Sequence, residues 1–170
     1  MDKALLVIDM QEGFRFPETE LILPNLLNVV NKFDGQILFS QFVDEPNSMF
    51  ERRLSWTTFQ DINKQKLLRE IESKVKNIFS HKTYNPITKQ LLDYISENNI
   101  KTVYLSGIYT DVSVLVSAML LFDNNTEVYV LEDCCNSVHK SQTNNIHISA
   151  IESLSHIIGK THIVNSSQVI

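Results

Sequence analysis

Three polar side chains stand where apolar runs of this chain end. Asp9 directly follows Ala4-Leu5-Leu6-Val7-Ile8. Lys82 follows a weaker run, Val75 to Ser80. Ser113 ends Ser106-Gly107-Ile108-Tyr109-Thr110-Asp111-Val112-Ser113, which reads as a strand-to-helix turn. An acid, an amine and a hydroxyl are the groups that general acid/base and nucleophilic chemistry use. Taken singly, each has a plainer reading. Asp9 caps a turn, Lys82 is a solvated amine, and Ser113 opens a helix, where serine is favoured anyway.

Whether the three meet depends on the elements that carry them. Ala4 to Ile8, Gln36 to Val43, Lys101 to Leu105, Glu127 to Leu131 and Thr161 to Val164 read, with Val75 to Ser80, as strands covered on both faces. Continuous β-branched runs of that kind are the habit of parallel sheets. Between them lie helical patterns at Asn25 to Lys32 after Pro24, Ile62 to Lys74, Pro86 to Glu97, Val112 to Leu121 and Gln142 to Ile158. Alternating strands and helices predict a three-layer α/β/α sandwich with a mostly parallel sheet of about six strands and right-handed crossovers. In such sheets ligands bind outside the carboxyl ends of the strands, so the acid, amine and hydroxyl converge on one crevice. The one long non-periodic stretch, Asp44 to Asp61, carries Phe50, Arg52, Arg53, Trp56 and Phe59 and reads as a functional lid.

Composition removes whole classes of function. The 170 residues carry 43% hydrophobic and 21% charged side chains, which fits one globular domain over 1–170. Fifteen basic against twenty acidic residues leave a net charge of −5, unsuited to nucleic acid. The best candidate for a membrane span, Val114 to Phe122, is too short and contains Ser117, and the brief run Ala4 to Ile8 predicts no signal peptide. Cys134 and Cys135 are adjacent, poor disulfide geometry, so a reducing, cytoplasmic setting is expected.

Four motifs in order sharpen this reading. Leu6-Val7-Ile8-Asp9-Met10-Gln11, His81-Lys82-Thr83-Tyr84, Gly107-Ile108-Tyr109-Thr110-Asp111-Val112-Ser113-Val114 and Glu132-Asp133-Cys134-Cys135-Asn136-Ser137 together resemble the isochorismatase-like cysteine hydrolases. The resemblance runs over essentially the whole chain. It implies Asp9 as general acid/base, Lys82 as its charge partner and position 113 as the nucleophile. It also implies a non-proline cis peptide between Ile108 and Tyr109, aiming the backbone N–H groups of Tyr109 and Ser113 at a developing oxyanion. A small amide-type substrate cleaved at a C–N bond follows from it, with a homo-oligomer as the assembly.

One departure stands out. The family's turn reads G-x-x-T-D-x-C-V, and the cysteine position here is Ser113. A thiol is partly thiolate near neutral pH, whereas a serine hydroxyl needs strong base help. Three readings fit: an engineered replacement of cysteine, a natural enzyme such as a vinyl-ether hydrolase that needs no thiol, or a non-catalytic relative that binds a small molecule or a protein. Cys134 and Cys135 are small residues at a strand end, or a relocated nucleophile.

The nicotinamidase branch carries an Asp-x-His pair and a further histidine after the second strand. Here that region reads Gln41-Phe42-Val43-Asp44-Glu45-Pro46-Asn47, without histidine. His81, His139, His147, His156 and His162 lack a zinc-clasping helical spacing, so neither metal nor cofactor is expected. Phe14, Trp56 and Tyr84 are candidate pocket walls, and Arg52 and Arg53 could pair with a substrate carboxylate. The apolar helix from Val112 to Phe122 offers surface for a second copy.

Overall fold

The computed structural model describes residues 2–137 and 143–170; His139 and the expected helix start at Gln142 lie outside them. Six parallel strands form one sheet in the order β3-β2-β1-β4-β5-β6. They are β1 (Lys3–Ile8), β2 (Gln36–Phe42), β3 (Asn77–His81), β4 (Thr102–Ile108), β5 (Glu127–Asn136) and β6 (Ile163–Val164). The helices are α1 (Pro17–Lys32), α2 (Met49–Leu54), α3 (Ile62–Gln65), α4 (Arg69–Glu72), α5 (Lys89–Glu97), α6 (Leu115–Asp123) and α7 (Thr143–Ile158).

The two faces of the sheet can be read from β1 itself. Leu5 and Val7 point into a core built with Ile22, Leu26 and Val29 of α1 and with Ile71 of α4. Ala4, Leu6 and Ile8 point into the opposite core, against Leu91 and Ile95 of α5, Ala118 and Leu121 of α6, and Leu154 of α7. A strand buried on both faces has no polar side to show, which is why its sequence does not alternate. The result is an α/β/α sandwich.

Chain order runs outward from β1 to β3, then returns to place β4 on β1's other side. That reversal makes the β1/β4 carboxyl ends the switch point where open α/β sheets hold ligands. Lys3 to Ile8 pair with Thr102 to Gly107 in register. At the last pair the strands come unusually close: Gly107 has φ +109, and a Cβ there would lie 2.1 Å from the Ile8 carbonyl oxygen. Only glycine meets both demands.

Three elements differ from their sequence patterns. The first helix begins at Pro17, not after Pro24, which sits inside it; burial of Ile22, Leu23 and Leu26 outweighs the N–H that Pro24 lacks. Ile62 to Lys74 is not one helix. Gln11 bridges to Leu67, and the Leu68 N–H donates to the Met10 carbonyl at 2.9 Å, splitting the segment into α3 and α4. The stretch 44–61 contains α2, capped by Ser48, whose Oγ accepts from the Glu51 N–H.

Gly107→Ala should lower stability by at least about 3 kcal/mol, from φ strain plus a backbone clash. Gly159, also at positive φ but with its nearest would-be neighbour 3.4 Å away, should tolerate alanine at about 1 kcal/mol. Urea denaturation of the two variants beside the parent protein measures the difference.

Candidate active site

Asp9 leaves β1 in the left-handed region, φ +53, a conformation aspartate accepts more readily than most residues. Its backbone N–H donates to Ser40 Oγ at 3.1 Å, and Ser40 Oγ donates back to Asp9 Oδ1 at 2.5 Å. His81, the last residue of β3, reaches across β2 and places Nε2 2.8 Å from the same Oδ1. The side chains of His81 and Asp9 are only 1% and 3% exposed. Three neighbouring strands thus fix one carboxylate at the switch point.

The proton count of this group follows from its acceptors. His81 Nδ1 faces the Thr83 carbonyl at 2.7 Å, and a carbonyl only accepts, so Nδ1 carries hydrogen. Nε2 faces the carboxylate oxygen that already accepts from Ser40, so Nε2 donates as well. A ring donating from both nitrogens is an imidazolium. Burial is the largest influence on its pKa and pushes it down, but the Asp9 charge and hydrogen bond, with the Thr83 carbonyl, raise it overall above 6.5.

Lys82 does not join this group. Strand parity sets His81 with buried Phe79, and Lys82 continues the exposed side of Ile78 and Ser80. Its ammonium pairs with Glu45 at 2.7 Å, with both side chains about 60% exposed. The cation beside Asp9 is therefore His81, one residue earlier than the motif suggests. Ser40 and His81 both escape a reading that follows apolar runs alone. Their signals were a lone serine inside Gln36 to Val43 and the two-residue spacing from Phe79.

The turn after β4 carries Ser113. The Ile108–Tyr109 peptide is cis, in keeping with the resemblance. Thr110–Val114 form a single wide π-type turn leading into α6, a local form common at functional sites. Ser113 is buried at 7% exposure, and its carbonyl accepts from Ser117 Oγ at 2.7 Å. The turn is tied to the end of β5, where Ser137 Oγ donates to Asp111 Oδ1 at 2.6 Å. Thr110 Oγ1 and His147 Nδ1 share a hydrogen bond of 2.9 Å, fastening it to α7.

An aromatic cluster packs against Tyr109 at this turn. Phe14 lies 5.5 Å from Tyr109 and 5.9 Å from Trp56, centroid to centroid, and Trp56 stacks on Phe42. Tyr84 stands farther out, half exposed against Phe50. Gln11, fully buried, welds the β1 exit to β2. Its Nε2 donates to the Phe42 carbonyl and its Oε1 accepts from the Phe42 N–H, both at 2.8 Å. Arg53 lines a neighbouring cleft, while Arg52 lies against Met49 Sδ. Cys134 and Cys135 are buried in β5. Burial, then the nearby Asp133, pushes the Cys134 thiol up to about 12, and burial raises Cys135 well above the ordinary thiol value. Neither is an available thiolate near neutral pH. Among the described residues no His, Cys, Asp or Glu cluster is placed to hold a metal ion.

Replacing His81 with glutamine should cost about 3 kcal/mol near pH 6, where the buried pair is intact. Because folding raises the His81 pKa, its stabilisation is complete below 6.5 and is lost as pH rises through the raised value. Thermal unfolding of parent and variant from pH 5.5 upward should therefore show the gap closing on the alkaline side.

Known proteins carry the same arrangement of elements. Residues 3–161 match the family model of the isochorismatase domain. Isochorismatase family protein 2A of Dictyostelium discoideum is 37% identical over 146 residues, covering 82% of this chain and 68% of the relative. An isochorismatase-like hydrolase from Alkaliphilus metalliredigens superposes with a TM-score of 0.86 at 22% identity, over 99% of this chain and 97% of that one. N-carbamoylsarcosine amidase from Thermoplasma acidophilum superposes with a TM-score of 0.82 at 18% identity, over 98% and 97%. At those identities the superpositions speak for the fold, while the domain match and the Dictyostelium relative carry the assignment. The chain belongs to the isochorismatase family.

Proposed function

We propose that this protein hydrolyses a C–N bond in a small amide-type substrate, with Asp9 as the general acid/base and Ser113 at the nucleophile position. The observation that carries the reading is the buried carboxylate held at the switch point by Ser40 and His81. Both of those hydrogen bonds land on Oδ1, and in this reading Oδ2 handles the proton. Asp9 takes the proton of the attacking Ser113 hydroxyl and returns it to the leaving nitrogen, and water then cleaves the acyl-serine ester to release the acid and restore Ser113. His81 holds the carboxylate in place and supplies the positive charge first assigned to Lys82. The N–H groups of Tyr109 and Ser113 receive the oxyanion. Phe14 and Trp56 wall the substrate.

A carboxylate is a weak base for an alcohol, so oxygen at position 113 limits the rate. Ser113 favours a second reading for that reason: acid-catalysed cleavage of a vinyl ether, which uses Asp9 and no nucleophilic side chain. The same reading of the protein keeps a homo-oligomer, with Met119 and Phe122 of α6 exposed, and a cytoplasmic location, with two free buried thiols. No helix among the described residues is long and apolar enough to cross a membrane.

Parallel assays of amides, ureides and vinyl ethers on the parent and Ser113→Cys proteins test the proposal. C–N hydrolysis predicts a gain of at least about a hundredfold with cysteine, because the thiolate is accessible near neutral pH. Asp9→Asn should abolish that gain, and Lys82→Met should leave it within about twofold, as expected of an exposed pair. A vinyl-ether hydrolase shows activity in the serine form, lost in Asp9→Asn. No turnover by either form, with equal ligand binding by both, makes the protein a non-catalytic binder.

A further inference from the structure

Beside the Asp9 site lies a cleft of about 520 Å³ between the β2 exit, α2 and the segment after β3. Its walls include Phe50 and Tyr84, whose rings meet edge to face at 5.0 Å. Lys82 and Glu45 line it too, already paired with each other. The fifth participant is Asp44. Its backbone is fastened by an N–H to the Phe59 carbonyl at 3.2 Å, and the residue is only 9% exposed. Among the described residues, its Oδ2 is the buried side-chain oxygen or nitrogen without a hydrogen-bond partner.

A buried carboxylate oxygen with no donor costs free energy that a native structure ordinarily recovers elsewhere. Nothing in the catalytic proposal uses Asp44. An aromatic cleft with one under-satisfied carboxylate in its lining matches a particular ligand chemistry: an apolar body ending in a nitrogen cation rich in N–H donors. We propose that this cleft binds a small molecule bearing an ammonium, amidinium or guanidinium group, with Asp44 as its counter-ion and Phe50 and Tyr84 against its apolar body. Bound there, the cation meets the part of the Asp44 carboxylate that faces the cleft and offsets a charge whose Oδ2 the fold leaves without a donor. The site makes Asp44 a selector of ligand charge, and it stands whether or not the neighbouring site hydrolyses anything.

The test compares benzamidine, an aryl amidinium, with benzamide, its neutral isostere, by titration calorimetry on the Ser113→Ala protein, where turnover does not intervene. Benzamidine should bind at least about tenfold more tightly, as a charge-assisted hydrogen bond to a buried carboxylate implies. Asp44→Asn should erase that preference by weakening benzamidine alone. Tyr84→Ala should weaken both ligands and keep the preference, which separates loss of the wall from loss of the charge. Equal affinity for the two ligands, or a preference that survives Asp44→Asn, overturns the proposal. Any of these failures leaves the C–N hydrolase reading untouched, because binding is read without turnover.

Discussion

Burying a charged group costs free energy that partners must offset, and Asp9 is buried at the end of the central strand. That constraint organises the functional end of the molecule. Ser40 must stand on the adjacent strand to take the Asp9 N–H and return a hydroxyl hydrogen. His81 must come from one strand farther out, protonated, with Thr83 accepting on its other side. The apolar sheet around them makes the pairing strong, and the same apolar sheet makes loss of either partner expensive. An imidazolium in that place makes the charge arrangement titratable through a pKa raised above the ordinary histidine value.

The sheet converts this local arrangement into a site. Parallel pairing of β1 with β4 brings the Asp9 exit and the Ser113 turn out of the same edge, at the reversal of strand order where open α/β sheets hold ligands. Gly107 is the point where that closeness is most demanding, since its backbone lies against Ile8. Gln11 then fastens the β1 exit to β2, while Asp111–Ser137 and Thr110–His147 fasten the β4 turn to the end of β5 and to α7. Each of these bonds joins a site loop to a different element, so the loops hold their positions without sharing one support.

Much of this was legible in the residues. The alternating elements spelled out the sandwich, and Asp9 after an apolar run and the turn from Gly107 to Ser113 marked where β1 and β4 end. What stayed hidden depended on strand parity and on long-range pairing. The histidine and lysine of His81-Lys82 differ by one residue, and a strand end misjudged by one residue exchanges the buried face for the exposed one. Ser40 looks like a stray hydroxyl until β1 lies beside it. The break between α3 and α4 comes from a bridge to Gln11, more than fifty residues away, which no local periodicity reports.

The account rests on His81, not Lys82, being the protonated partner of Asp9. Nitrogen-detected NMR titration of the His81 ring tests this directly, in the parent protein, in Asp9→Asn and in Lys82→Met. The prediction is a ring pKa above 6.5 with both nitrogens protonated below it. Asp9→Asn should lower the value, because burial is then opposed only by the Thr83 carbonyl, and Lys82→Met should leave it in place. A neutral ring in the parent protein, or a titration indifferent to Asp9→Asn, would contradict the account.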